Sequence, residues 1–198
     1  GFKKKSYLMT KYFSQIAKKV RRETIYTRTY TLLHRVDKII CLNRLEQDYF
    51  IRNYDLPLEQ TVIISNGVDG SRYSTPASIF SDKFGLNGFV LYVGNIIKRK
   101  NPILLAECLN QMGQVGVFIG QQMAIEIEYG KMFENLVERS PNLTWIPNFD
   151  YNDPLLSSAF SAAKVLCLPS EAETQPLVAL EAMAAGTSVL LGNYPYAY

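Results

Sequence analysis

From residue 88 onward, short apolar runs alternate with longer stretches of helical period, and this alternation constrains the fold more than any other feature of the chain. Apolar runs at 88–93, 115–119, 143–146, 164–168 and 188–191 read as strands. Between them, apolar residues recur three or four apart at about 102–112, 123–138, 153–162 and 176–185, the period of amphipathic helices. Strands separated by helices are not joined by hairpins, so each crossover must return over a face of the sheet. The expectation is an α/β fold: a parallel, doubly wound sheet with helices on both faces. In such a sheet, ligands bind beyond the carboxyl ends of the strands, where helix N-termini point. The loops to inspect are therefore Gly94–Asn101, Gly120–Met123, Pro147–Asp153 and Pro169–Pro176.

The preceding residues read as a smaller piece. Asp37–Leu42 is expected to be a buried strand, Arg44–Tyr54 a helix stopped before Pro57, and Thr61–Ser65 a strand ending in Asn66-Gly67, which together make a partial βαβ unit. Residues 70–87 are rich in Gly, Ser and Pro and read as a linker with a short helix near Ser78–Lys83. The domain expectation is thus 1–69, a linker over 70–87, and 88–198. Met9, Tyr12, Phe13, Ile16 and Val20 fall at helical spacing with Lys and Arg on the other faces. Residues 1–38 hold seven Lys and four Arg against Glu23 and Asp37, a net +9, although the whole chain carries only +3. A basic end beside an acidic body reads either as a solvated helix face or as the mark of an acidic partner, an anionic membrane surface or nucleic acid, with Lys3, Lys4 and Lys5 nearest the end.

With 47% hydrophobic and 20% charged residues, 12 Gly and 9 Pro, the composition excludes disordered, collagen-like and disulfide-scaffold classes. The longest apolar runs fall far short of the roughly 18–20 residues that span a bilayer. No secretory signal is read at Gly1-Phe2, and the start is expected to be that of a fragment. Cys41, Cys108 and Cys167 each have apolar neighbours and are expected to be buried free thiols in a reducing, cytoplasmic compartment.

Two loops carry chemistry. Gly94-Asn95-Ile96-Ile97-Lys98-Arg99-Lys100-Asn101 puts three cations at a helix entrance, where the dipole disfavours them, so they are expected either to serve a bound anion such as a diphosphate or to be solvated surface charges. In Pro169–Pro176 and the apolar helix that follows, Pro176 suits a first helical position, with Thr174 or Gln175 at or beside the cap. Glu181 is the ionisable side chain of that helix; buried, it needs donors such as the vicinal hydroxyls of a ribose, and on the solvent side it needs none. Glu173, on the loop, could reach a sugar hydroxyl while the helix N-terminus holds phosphate. His34 has no second imidazole or Cys at ligand spacing, so no zinc site can be assembled, and no Gly-x-Ser-x-Gly elbow or Walker-type loop is present.

These residues resemble glycosyltransferase family four, whose GT-B architecture has two facing Rossmann-like domains. Four stretches match in the family's order: Val62–Asp69; Tyr92-Val93-Gly94 through Lys100-Asn101; Ser161–Val165 leading to Pro169-Ser170; and Glu173 to Glu181 followed by Ala182–Thr187. The resemblance implies a retaining transferase that moves a sugar from a nucleotide diphosphate to a glycan or lipid acceptor without a bound metal or other cofactor, and without a nucleic-acid partner. It implies that residues 88–198 are most of the donor domain and 1–69 the remnant of the N-terminal one, so that the fragment by itself is inactive. Carried over, Lys100 and Glu173 are the catalytic candidates: Lys100 holds the diphosphate and Glu173 contacts the transferred sugar. Gly94, Asn95, Arg99, Thr174, Gln175, Leu177 and Glu181 complete the donor site, Glu181 on the ribose and the amides near Thr174–Leu177 on the phosphates. The loop after Trp145 would line the base. Where the family has Arg after the first Gly this chain has Asn95, so Lys98 or Arg99 is expected to supply that charge; Thr174 and Pro176 replace Gly residues, and Pro176 removes one donor. A catalytically silent nucleotide-sugar-binding module is the alternative reading.

Overall fold

The computed structural model describes residues 25–147 and 153–193. The helix expected from Met9 to Val20, the Lys3–Lys5 cluster and positions 148–152 of one ligand loop lie outside the described residues. The chain divides into two compact units between Ile64 and Ser65.

In the first unit, residues 25–33 are helical (α1), followed by β1 (Ile39–Cys41), α2 (Arg44–Tyr54) and β2 (Thr61–Ile63). β1 and β2 pair in parallel with Ile40 opposite Val62. Both strands are shorter than the sequence suggests, and for β1 the cause is local. The N–H of Leu42 is taken by Glu46 Oε2 at 2.6 Å while the Asn43 side chain accepts from the Glu46 N–H at 2.9 Å, a reciprocal cap that turns the chain into α2. Ile39, Cys41 and Leu56 form a small core with Leu33, Phe50 and Tyr54 against it.

The second unit contains α3 (Ser78–Phe84), β3 (Phe89–Val93), α4 (Pro102–Met112), β4 (Gly116–Ile119), α5 (Ile127–Glu138), β5 (Leu143–Ile146), α6 (Pro154–Ala162), β6 (Ala163–Leu168), α7 (Leu177–Ala184) and β7 (Ser188–Leu191). The five strands are all parallel in the order β5-β4-β3-β6-β7. α4 packs on α5, while α6 packs on both α3 and α7, so the α/β expectation of a parallel sheet flanked by helices holds. α4 spans the expected residues because Pro102 opens it at the first turn and Gly113, left-handed at φ 63°, closes it, with Gln114 N–H donating to Leu109 O at 2.9 Å. The helix expected over 123–138 begins instead as a 3₁₀ turn, Ala124–Glu126. β4 is buried at every position, and Phe118, Phe133 and Trp145 pack edge to face beside it.

Residues 70–87, expected to be a linker, contribute to this core: Tyr73 and Phe80 are buried in it, Tyr73 edge-on to Phe160. A buried serine fastens the segment to α6. Ser158 Oγ accepts from the Phe80 N–H at 2.9 Å and donates to Pro76 O at 2.6 Å. Ser158→Ala leaves both backbone groups unsatisfied in a dry contact, and a loss of about 2 kcal/mol is expected in a denaturant melt; an unchanged midpoint would show that water replaces the hydroxyl.

Cys41 and Cys167 are buried as expected, but Cys108 is exposed. The inward face of α4 is Pro102, Leu105, Ala106 and Leu109, and a residue one step before Leu109 is turned about 100° away from it. Burial pushes the Cys167 thiol up to about 11, with the Cys108 thiol adding a smaller effect. Among the described residues no helix is long and apolar enough to cross a membrane.

Candidate functional site

β3 pairs with β4 on one side and β6 on the other, so the strand order reverses there and the carboxyl ends of β3 and β6 flank the crevice where this topology places ligands. The loops leaving these two strands carry the two sets of residues singled out from the sequence.

The loop after β3 begins at Gly94, whose φ of 155° is open to glycine and whose missing Cβ leaves room for the Lys100 stem; a Cβ there would meet Lys100 Cδ at 3.2 Å and Nζ at 3.4 Å. Tyr92 Oη donates to Asn95 O at 2.9 Å and Ile96 N–H donates to Gln121 O at 2.9 Å, so the start of the loop is held from two sides. Burial drives the Tyr92 phenol far above its ordinary range, with Tyr129 and Glu173 adding to it, and it stays a neutral donor. Lys98–Lys100 form one 3₁₀ turn that ends at Asn101, left-handed at φ 55°. With about three residues per turn, consecutive side chains point some 120° apart, so three adjacent cations cannot face one ligand. Lys98 is exposed, and its N–H binds Glu126 Oε2 at 2.5 Å. Arg99 and Lys100 turn to the loop after β6.

There, Lys100 Nζ lies 3.4 Å and Arg99 Nη1 3.5 Å from Glu173 Oε1. Arg99 Nη1 also donates to Ala172 O, and Glu171 N–H donates to Arg99 O at 2.8 Å. Glu173 Oε1 is shut off from solvent yet makes no hydrogen bond, so it faces two cations at ion-pair distance without directional bonding. Of the two candidates for the charge absent at Asn95, the fold brings Arg99 to the site and leaves Lys98 outside it.

Pro176 is the N-cap of α7 and not its first helical residue, at φ −68° and ψ 118°, with its carbonyl accepting from Ala179 N–H at 3.0 Å. Extended ψ at Pro176 is what excludes it from the helix, and Leu177 becomes the first helical residue. The N–H groups of Leu177 and Val178 therefore have no intrahelical partner and carry the positive end of the helix dipole. Glu181, one turn further on, is 5% exposed and lies with Ala179 and Ala182 on the buried face of α7, which excludes the solvent-side reading. Thr174 and Gln175 are half-buried, but the Gln175 amide oxygen is committed to Asn66, whose N–H donates to it at 2.6 Å while Asn66 Nδ2 donates to Gln175 O at 3.1 Å. Sequence reasoning missed Asn66. Its signals were an Asn-Gly pair, read as a strand end, and its place in the stretch Val62–Asp69 that matches the family's order. Trp145 Nε1 donates to Gly120 O at 2.9 Å, tying the ends of β5 and β4 together. Among the described residues no three His, Cys, Asp or Glu gather in a way that could hold a metal.

A model of the family described as glycosyl transferases group 1 matches residues 79–197. The chain belongs to that family. The match begins in α3 and runs through the whole five-stranded unit, so the group 1 assignment covers both loops of the site. The chain is 31% identical over 117 residues to the glycogen synthase of Chlamydia pneumoniae, covering 57% of this chain and 24% of that protein. It is 35% identical over 105 residues to the glycogen synthase of Chlamydia caviae, covering 50% and 21%. Among solved structures, sucrose-phosphate synthase from Thermosynechococcus elongatus superposes with a TM-score of 0.73 at 27% identity, over 85% of this chain and 44% of that one. HepE of Anabaena, in complex with UDP-glucose, superposes with a TM-score of 0.73 at 23% identity, over 85% and 48%. The match spans about a quarter of the length of these curated relatives and under half of the solved chains. The structural neighbours bear out the GT-B type of fold for this group 1 chain.

Proposed function

We propose that this chain is the donor-binding part of a retaining glycosyltransferase of family four, which moves a sugar from a nucleotide diphosphate to a glycan or lipid acceptor. The observation that carries the reading is Glu173 held 3.4 and 3.5 Å from Lys100 and Arg99 at the reversal of strand order, just before the N-terminus of α7. Two cations against one carboxylate leave one positive charge uncompensated, and the open amides of α7 add a second positive field; both suit a diphosphate. In transfer, the bond between the sugar and the diphosphate breaks and negative charge grows on the leaving phosphate. Lys100, Arg99 and the α7 amides, fixed before the reaction, stabilise that charge without the help of a metal. Glu173 then contacts the transferred sugar, and Glu181, buried on α7, accepts from the ribose hydroxyls. Gly94, Asn95, Thr174, Gln175 and Leu177 contribute backbone to the same cradle, with the Gln175 side chain oxygen excluded from it. Retention and the acceptor class rest on the resemblance, and so do the assignment of 1–69 to a remnant of the acceptor-side domain and the inactivity of the fragment alone. The basic N-terminal stretch is proposed to touch an anionic membrane surface from the cytoplasmic side.

Calorimetric titration of the chain with UDP, GDP and ADP tests the donor site. One nucleotide is expected to bind, and Glu181→Ala to weaken it about tenfold through loss of the ribose contact. A folded chain that binds none of the three would overturn the reading.

A further inference from the structure

We infer that Asn66 is a positioning residue that sets the direction in which α7 presents its N-terminal amides; the inference rests on the donor-site reading above. The peptide between Gln175 and Pro176 leads directly into α7. Asn66 Nδ2 holds the carbonyl of that peptide at 3.1 Å, and the Asn66 N–H holds the side chain of the same Gln175 at 2.6 Å. Two bonds between one pair of residues fix a peptide plane and not merely a distance. The next torsion, φ of Pro176, is locked by its ring at −68°. Between a clamped peptide plane and the N–H of Leu177, ψ of Pro176 is then the single rotatable bond.

The other end of the loop is held by a different device. Glu171 N–H donates to Arg99 O at 2.8 Å and the Arg99 guanidinium donates to Ala172 O, so the segment from Glu171 to Gln175 is pinned at both ends, and Glu173 and Thr174 lie between the pins. The Arg99 end belongs to the cation loop; the Asn66 end lies 109 residues away in sequence, in the stretch that opens the second unit. A glycine at the cap would leave the start of α7 free to adjust. With Pro176 at the cap, adjustment is removed, and the amides point correctly only if the preceding plane is correctly held.

The test reads both the apo protein and its ligand. In Asn66→Leu, which keeps the size and removes the Nδ2 donor, the amide NMR peaks of Thr174, Leu177 and Val178 are expected to move while those of β3 to β7 stay. Affinity for whichever of UDP, GDP and ADP the wild type binds is expected to fall about fivefold, with the corresponding nucleoside unaffected, because only the phosphate contacts depend on the plane. Gln175→Leu removes the other bond, from the Asn66 N–H to Gln175 Oε1, and is expected to do the same; because the plane is held only while both bonds stand, the double variant is expected to be no worse than either single one. A shared loss for nucleoside and diphosphate, an additive double variant, or unchanged binding and amide peaks would overturn the role of Asn66. Wild-type protein that binds none of the three diphosphates would overturn the donor-site reading and this role with it, so the two failures are told apart by the wild type alone.

Discussion

Lys100→Ala is expected to weaken nucleoside diphosphate binding about a hundredfold while leaving nucleoside binding unchanged, because a charge-assisted contact is worth about 1.5–3 kcal/mol and a partly desolvated one lies at the upper end. The Lys100 side chain is only 18% exposed, lies over the Cβ-less backbone of Gly94, and meets Glu173 at 3.4 Å. Packing on glycine fixes the ammonium before any ligand arrives, so little entropy is lost on binding. Its contact to Glu173 lacks hydrogen-bond geometry, so a phosphate oxygen can take the directional bond without displacing one. Arg99 keeps other N–H groups for the ligand but does not replace the Lys100 ammonium, since its Nη1 is held on Ala172 O. Calorimetry at two salt concentrations checks the argument: the wild-type affinity should fall more steeply with salt than that of the variant. Equal affinities for the diphosphate would remove Lys100 from the site.

Gly120→Ala is expected to cost more than about 3 kcal/mol and to lower Tm by roughly 10 °C. A Cβ on Gly120 would lie 1.9 Å from Gly94 O and 2.6 Å from Gly94 C, and both are backbone atoms that cannot swing away. The φ of 151° adds strain for any L side chain. The two glycines end adjacent strands, and Gly94 N–H donates to Ile119 O at 2.9 Å, so separating them pulls the cation loop off the sheet. Diphosphate binding should therefore disappear along with stability. Gly67→Ala is the control: nothing lies within 4 Å of its Cβ position and its φ is not in the glycine-favoured range, so its melt should match the wild type. A Gly120→Ala protein that melts normally would mean that the two strand ends separate freely.

Much of the fold was legible because its signals are local. α4, β5 and β7 fall where periodicity placed them, and Pro102 and Gly113 mark the ends of α4 for reasons contained in two side chains. Strand β1 was less legible because its end depends on a cap made by Asn43 and Glu46, which takes an N–H that a longer strand would have used. In the stretch 70–87 the short helix falls where it was expected, as α3, but Gly, Ser and Pro mark only irregular or turning backbone and do not reveal that Tyr73 and Phe80 are buried in the core. In the site, the residue types pointed to Lys100, Arg99, Glu173 and Glu181, and the fold gathers the first three and buries the fourth. Spacing said nothing of Asn66, since a contact across 109 residues leaves no periodic trace.

By itself, then, the sequence determined the α/β class, the parallel order of strand and helix in the second unit and the two loops that matter, because hydrophobic period and the chemistry of Pro and Gly act within a few residues. The tertiary structure alone decided which side chains in those loops meet. A 3₁₀ turn at Lys98–Lys100, ended by a left-handed Asn101, aims Arg99 and Lys100 at Glu173 and Lys98 away, and the Asn66 bonds commit Gln175 to the scaffold. Those choices follow from rotation about the chain and from contacts 73 and 109 residues apart, and close packing at the Gly94 and Gly120 backbones sets them.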